Sequence, residues 1–246
     1  MRAFLRGSPT WQPGSSWPWT WAAPAALLIF LLGQALGIGV VVLVSGPPNA
    51  SIGEILSQIE PLDMRLLLAG QIGTIVLTVL AAYLFRSNPT RQLRLVEPDG
   101  GLRSYVLALL VMLPLLITVN AVTWAVAPDA VLRDFMLFKD LVQQPNWLLP
   151  ALAIVIGAPL SEELLFRGFL LSSVGSSRLG YWPSATLVAL SWTMLHASYS
   201  AIGMIEVFVI GMYLSWTLKR TGSLLVPLFC HAVYNASLFM VLRWIA

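Results

Sequence analysis

Seven apolar runs, each close to the length of a membrane crossing, constrain this chain more than any other feature. They are Trp21–Ser45, Leu66–Phe85, Tyr105–Val126, Trp147–Val174, Pro183–Ala197, Ala201–Leu218 and Leu224–Ile245. A helix rises 1.5 Å per residue and the hydrocarbon core is ~30 Å thick, so roughly 20 apolar residues make one crossing. Lipid offers the backbone no hydrogen bonds, and a helix satisfies its own. The expected fold is therefore all-α, a polytopic membrane protein with about seven (six to eight) transmembrane helices. Composition agrees: 10% of the residues are charged, against about 25% in soluble domains.

Residues 1–20 form a polar leader rich in Pro, Ser and Trp, and 21–246 read as a single membrane domain. The first apolar run is long and its leader polar, which disfavours a cleaved signal peptide. Lys and Arg set the orientation. Nine (Arg2, Arg6, Arg86, Arg91, Arg94, Arg103, Arg178, Lys219 and Arg220) fall on one side and four (Arg65, Arg133, Lys139 and Arg243) on the other. The nine are expected to face the cytoplasm, with the N-terminus inside and the C-terminus outside. Spread over loops, they form no patch for nucleic acid. The stretch 46–65 is the main outer loop, with a "GPPN" turn and a short amphipathic piece near "IGEILSQI". "GQALG" in the first run has the spacing of a helix-packing motif. The single cysteine, Cys230, rules out an intrachain disulfide and CxxC chemistry.

Ionisable groups inside spans cost about 2.5–3.5 kcal/mol each on insertion scales. This chain keeps Glu162, Glu163, Arg167, His196, Glu206 and His231 there, including both of its histidines. Glu163 and Arg167 are four apart and share a helix face, which suits an ion pair. Glu162 is displaced by 100° and faces elsewhere. His231 and Asn235 are also four apart, and Trp192 precedes His196 by four. From the Ser176–Trp182 turn, Glu162 and His196 each lie ~20 Å along their helices. From the turn with Lys219 and Arg220, His231 and Asn235 lie ~14 and ~20 Å along theirs. Three helices thus bring polar groups to one level, in a cavity expected to open to the cytoplasm. The helix from Trp147 to Val174 exceeds the core thickness, and Pro150 and Pro159 are candidate breaks. Taken singly, Glu163–Arg167 reads as a structural pair, Glu206 as a water-facing or paired carboxylate, and His196 as a helix-end histidine. Together Glu162, His196, His231 and Asn235 answer no structural need.

A glutamate beside a histidine polarises a water and takes its proton. His231 and Asn235, as donors, suit the oxyanion formed when that water attacks a peptide carbonyl. The same groups admit zinc, with Glu162, His196 and His231 as a His₂Glu set and a fourth position for water. No cofactor is otherwise called for, and the sequence leaves the two chemistries open. Neither HExxH nor GxSxG occurs.

At this point the residues resemble a known family. "EELLFR" (162–167) is similar to EExxxR, "WTMLH" (192–196) to FxxxH with Trp for Phe, and "HAVYN" (231–235) to HxxxN. "RTGSLLVPLFCH" looks like the usual approach to the third motif. These mark the CAAX protease and bacteriocin-processing intramembrane endopeptidases, which include the type II CAAX prenyl endopeptidases. The likeness covers about Leu149 to Phe239. It implies a membrane peptidase in which Glu162 and His196 activate water and His231 and Asn235 hold the oxyanion. Glu163, Arg167 and Trp192 would support the site. Members have been described both as metalloproteases and as metal-free glutamate peptidases. The partners implied are the lipid bilayer and a membrane-associated or lipidated protein or peptide. The expected location is the plasma (inner) membrane of a prokaryote, where prenylated CAAX substrates are not expected. The rival reading is a non-catalytic binding, immunity or transport protein using the same polar cluster. A transporter would more often show duplicated halves, and none is visible here.

Overall fold

A computed structural model describes residues 4–5, 10–12, 15, 17–45, 53–54, 64–84, 88–143 and 146–245. The helices are α1 (Trp19–Ser45), α2 (Met64–Tyr83), α3 (Pro89–Gln92), α4 (Leu102–Val126), α5 (Pro128–Met136), α6 (Lys139–Val142), α7 (Leu148–Val174), α8 (Tyr181–Met194), α9 (Ala201–Thr221) and α10 (Leu225–Ile245). Among the described residues six of them, α1, α2, α4, α7, α9 and α10, are long and apolar enough to cross a membrane. The protein is an all-α polytopic membrane protein. Most of the outer loop expected over 46–65 lies outside the described residues.

The fifth apolar run behaves differently from the other six. Its helix α8 has 14 residues, about 21 Å, which is too short for the ~30 Å core. Residues 195–200 then turn back before α9 begins. Irregular backbone at such depth is tolerated where it lines a cavity, and this turn does so.

The core is polar by the standard of a soluble protein. Thr74, Thr78, Ser172, Ser173, Ser184, Ser215 and Thr217 are buried, while Leu28, Leu31, Leu110, Leu113 and Leu187 are exposed. Lipid tails are as apolar as leucine, so burial of leucine gains little and small residues that permit close approach take the interfaces. The GQALG spacing is one such interface. A Cβ on Gly37 would overlap the backbone of Gly70, and one on Gly33 would overlap Thr74. Larger residues would therefore separate α1 from α2. Exposed tryptophans stand at both ends, with Trp19, Trp21 and Trp182 at one and Trp124, Trp147 and Trp244 at the other, as the two membrane interfaces require.

Helix ends follow local chemistry. Ser200 caps α9, its hydroxyl accepting from the Gly203 amide at 3.1 Å. Gly222 closes the same helix at φ 65°, a left-handed position where glycine avoids the Cβ penalty.

Helix α7 runs without a break through Pro159. It accommodates the proline by widening into π-helical turns at Leu152–Gly157 and again at Glu163–Leu171. In the first, the Ala158 amide bonds to the Ala153 carbonyl. The next carbonyl, Ile154, would need the amide of residue 159, which proline lacks. That carbonyl accepts instead from Asn235 Nδ2 of α10 at 2.8 Å. Gln71 of α2 donates to the Ala153 carbonyl at 3.2 Å. Proline leaves the Ile154 carbonyl without a backbone donor, and amide side chains of two neighbouring helices clamp it and the Ala153 carbonyl beside it. π-turns are uncommon and concentrate at functional sites.

Candidate active site

Glu163 and Arg167 form the floor. Both are fully buried, with Arg167 Nη1 donating to Glu163 Oε1 at 3.0 Å. The pairing expected from their spacing is present, and it extends further. His231 Nδ1 lies 2.9 Å from the same Glu163 oxygen. Arg167 Nη2 donates to the Gly211 carbonyl at 3.3 Å, and its guanidinium sits 4.4 Å from the Trp192 ring centroid. A desolvated cation–π contact of this kind contributes about 2 kcal/mol.

Trp192 joins the floor to the chemical groups above it. Its indole N–H donates to Glu162 Oε2 at 2.6 Å. Its carbonyl accepts from His196 Nδ1 at 3.1 Å, and its ring meets the rings of His196 and His231 edge-on at 5.0 and 5.4 Å. The sequence suggested an aromatic wall; the structure adds a hydrogen-bond donor that orients Glu162.

These contacts fix both imidazole tautomers. A carbonyl only accepts, so His196 carries its proton on Nδ1 and leaves Nε2 as a base. Glu163, paired with Arg167, likewise serves as the acceptor for an Nδ1 proton of His231. His231 Nε2 then stands 3.9 Å from Glu162 Oε2. In this state it accepts hydrogen bonds, and it donates only as imidazolium. Glu162 keeps 21% of its side chain exposed, whereas Glu163 has none. The two adjacent carboxylates therefore occupy unlike environments, as their angular offset predicted.

Glu162, Trp192, His196, His231 and Asn235 line one cavity of about 350 Å³, within the range of small-ligand sites. Glu163 and Arg167 lie outside it. Among its other polar residues are Gln71, Ser198, Tyr199 and Tyr234, none of which the motifs indicate. Gln71 left a trace, a lone amide inside an apolar run. Tyr199, in the α8–α9 turn, has its phenol ionisation pushed up, first by burial and then by the charges of Glu162, Asp134 and Glu206, so it remains a donor. Glu206 accepts from the Tyr234 hydroxyl at 2.9 Å and lines a smaller neighbouring cavity.

The position of the cavity corrects one expectation. The exposed residues of its lining are Leu67, Leu195 and Ser198, and they stand at the start of α2 and in the α8–α9 turn, at the end of the bundle opposite Arg94, Arg178, Lys219 and Arg220. A cytoplasmic basic face and a cytoplasmic opening therefore cannot both hold. As for metal, the two histidines are buttressed at Nδ1 as zinc ligands commonly are. Even so, no three His, Cys, Asp or Glu side chains among the described residues are grouped to hold an ion. The side chains as placed do not form a zinc site.

The arrangement can hold a polar molecule against three basic atoms at the base of an apolar-walled cavity. The comparisons with known proteins add a family. Residues 144–237, less than half of the chain, match the family described as type II CAAX prenyl endopeptidase Rce1-like. A curated relative, an uncharacterised 24.3 kDa protein of Escherichia coli, is 37% identical over 90 residues. That alignment spans 35% of this chain and 41% of the relative. No solved structure matches. The matched stretch contains every residue of the three motifs, and over it the chain is similar to the type II CAAX prenyl endopeptidase Rce1-like family.

Proposed function

We propose that the protein is an intramembrane endopeptidase in which Glu162 and His196 activate water for attack on a peptide bond. The observation that carries this reading is that Glu162, His196 and His231 meet at one cavity with their other polar atoms already engaged. A water donating to the Glu162 carboxylate and to His196 Nε2 presents its oxygen to a carbonyl carbon. As the C–O bond forms, Glu162 takes the proton. The second N–H of the Asn235 amide, the first being held by Ile154, supplies a donor for the oxyanion, a contribution of about 3 kcal/mol. His231 adds a donor if it is protonated as the negative charge develops. Collapse breaks the C–N bond, and the proton on Glu162 passes to the leaving nitrogen. Water is consumed, and one acid and one amine are released.

No step in this scheme uses a metal. The substrates are membrane-associated or lipidated proteins or peptides, and the location is the plasma membrane of a prokaryote. The test is to express wild type and Glu162→Gln at matched levels in the native host and compare new protein termini across the membrane proteome. Termini seen only with the wild type support the peptidase and identify its substrates. Identical termini would instead favour a non-catalytic binding, immunity or transport role for the same cluster.

A further inference from the structure

The two ends of this bundle differ in charge and in closure. One end carries Arg91, Arg94, Arg103, Arg178, Lys219 and Arg220 against Glu97 and Asp99. It is sealed by segments far apart in sequence. The Trp11 amide donates to the Lys219 carbonyl at 3.2 Å and the Leu224 amide to the Arg94 carbonyl at 2.8 Å. The Thr10 hydroxyl donates to the Arg220 carbonyl at 3.0 Å and the Ser223 hydroxyl to the Val96 carbonyl at 2.5 Å. Between this cap and the cavity lie the buried Glu163–Arg167 pair, Phe169, Leu218 and Leu224. The other end carries Arg65, Arg133, Lys139 and Arg243 with Asp129, Asp134 and Asp140, and its charges nearly balance. The cavity reaches that end, with Glu162 and Trp192 at the bottom and Ser198 at the mouth.

Cationic loops are retained on the cytoplasmic side of a membrane. We infer that the cavity opens on the non-cytoplasmic side, so its substrates are exported or membrane-inserted polypeptides whose scissile bond has already crossed the membrane. The substrate half of this inference rests on the peptidase reading; the sidedness does not. A carboxyl-terminal peptide of a cytoplasmic protein would meet the sealed end, ~20 Å along α7 from Glu162. The apolar walls of the cavity, among them Leu67, Ile154, Leu195 and Leu238, suit an extended segment entering from the outer leaflet.

Cysteine labelling tests the sidedness without any turnover. The native Cys230 is buried and provides a silent background. Ser198→Cys places a thiol at the mouth and Ser176→Cys one in the turn at the basic end; both serines are exposed. With a membrane-impermeant maleimide, Ser198→Cys is expected to label as fully in intact cells as in permeabilised ones. Ser176→Cys is expected to label only after permeabilisation. The reverse pattern overturns the inference. Should Ser198→Cys stay unlabelled in both, fusions at the C-terminus decide: active alkaline phosphatase supports the inference, and fluorescent green fluorescent protein overturns it. If the sidedness holds and no wild-type-specific termini appear, the peptidase reading alone fails. Termini confined to cytoplasmic segments would remove the substrate class while leaving the peptidase.

Discussion

The Nδ1 of His231 lies 2.9 Å from Oε1 of Glu163, the same oxygen that accepts Arg167 Nη1 at 3.0 Å. One carboxylate oxygen thus ties α7 to α10 and sets the tautomer of the histidine above it. Its charge is balanced from below by a guanidinium that Trp192 covers. The charged floor is shared between chemistry and stability, and the two contributions can be separated by experiment.

Glu162→Gln keeps the size and an acceptor oxygen for the Trp192 N–H but removes the base. Turnover is expected to fall by about 10²–10⁴-fold, with elution profile and melting temperature in detergent close to wild type. A variant that aggregates would show that the carboxylate is also structural.

Arg167→Ala leaves Glu163 buried and charged without its main partner. Removing one member of a buried pair costs about 3–5 kcal/mol, so the yield of folded protein and its melting temperature should both drop sharply. Arg167→Lys keeps the charge but loses the planar contacts to Gly211 and Trp192, and should fall between the two.

The clamp between Asn235 and Ile154 gives a double-mutant cycle. Asn235→Ala strands a half-buried carbonyl at a cost of about 1 kcal/mol. Pro159→Ala restores the missing backbone N–H at residue 159 and should recover most of that stability in the double variant. Activity should not return with it, because the second Asn235 N–H is lost in both. Joint recovery of stability and activity would make Asn235 a structural residue alone.

Metal dependence has a direct test. Because the described side chains form no three-ligand cluster, wild-type-specific cleavage should survive dialysis against a strong chelator, and the purified protein should carry less than one equivalent of zinc. Stoichiometric zinc whose removal abolishes cleavage would require Glu162, His196 and His231 to close on an ion.

Much of the fold was legible because lipid makes simple demands. Six apolar runs of sufficient length became six long helices, and the GxxxG-spaced glycines marked the α1–α2 contact. The fifth run read as a crossing because hydropathy measures apolarity, whereas α8 stops at 14 residues and its polar turn is supported by the cavity beside it. The Glu163–Arg167 pair followed from helical spacing alone, since both partners sit on one element. The bonds from His231 to Glu163, from Trp192 to Glu162 and from Asn235 to Ile154 link residues 68, 30 and 81 positions apart. No local periodicity encodes such contacts. Gln71 and Tyr199 line the cavity from outside the motifs and Tyr234 from a variable position of the third, and only the packing of the chain brings them there.

The sequence by itself determined that the chain enters a membrane, which residues it places there at a cost in free energy, and which of them share a helix face. Those properties depend on residue type and helical period. Tertiary structure decided which nitrogen of each histidine is free, that Asn235 serves a carbonyl orphaned by Pro159, and that the cavity opens away from the basic end. Those outcomes depend on how separate helices meet, and hydrogen-bond geometry across an interface is set only once the helices have packed.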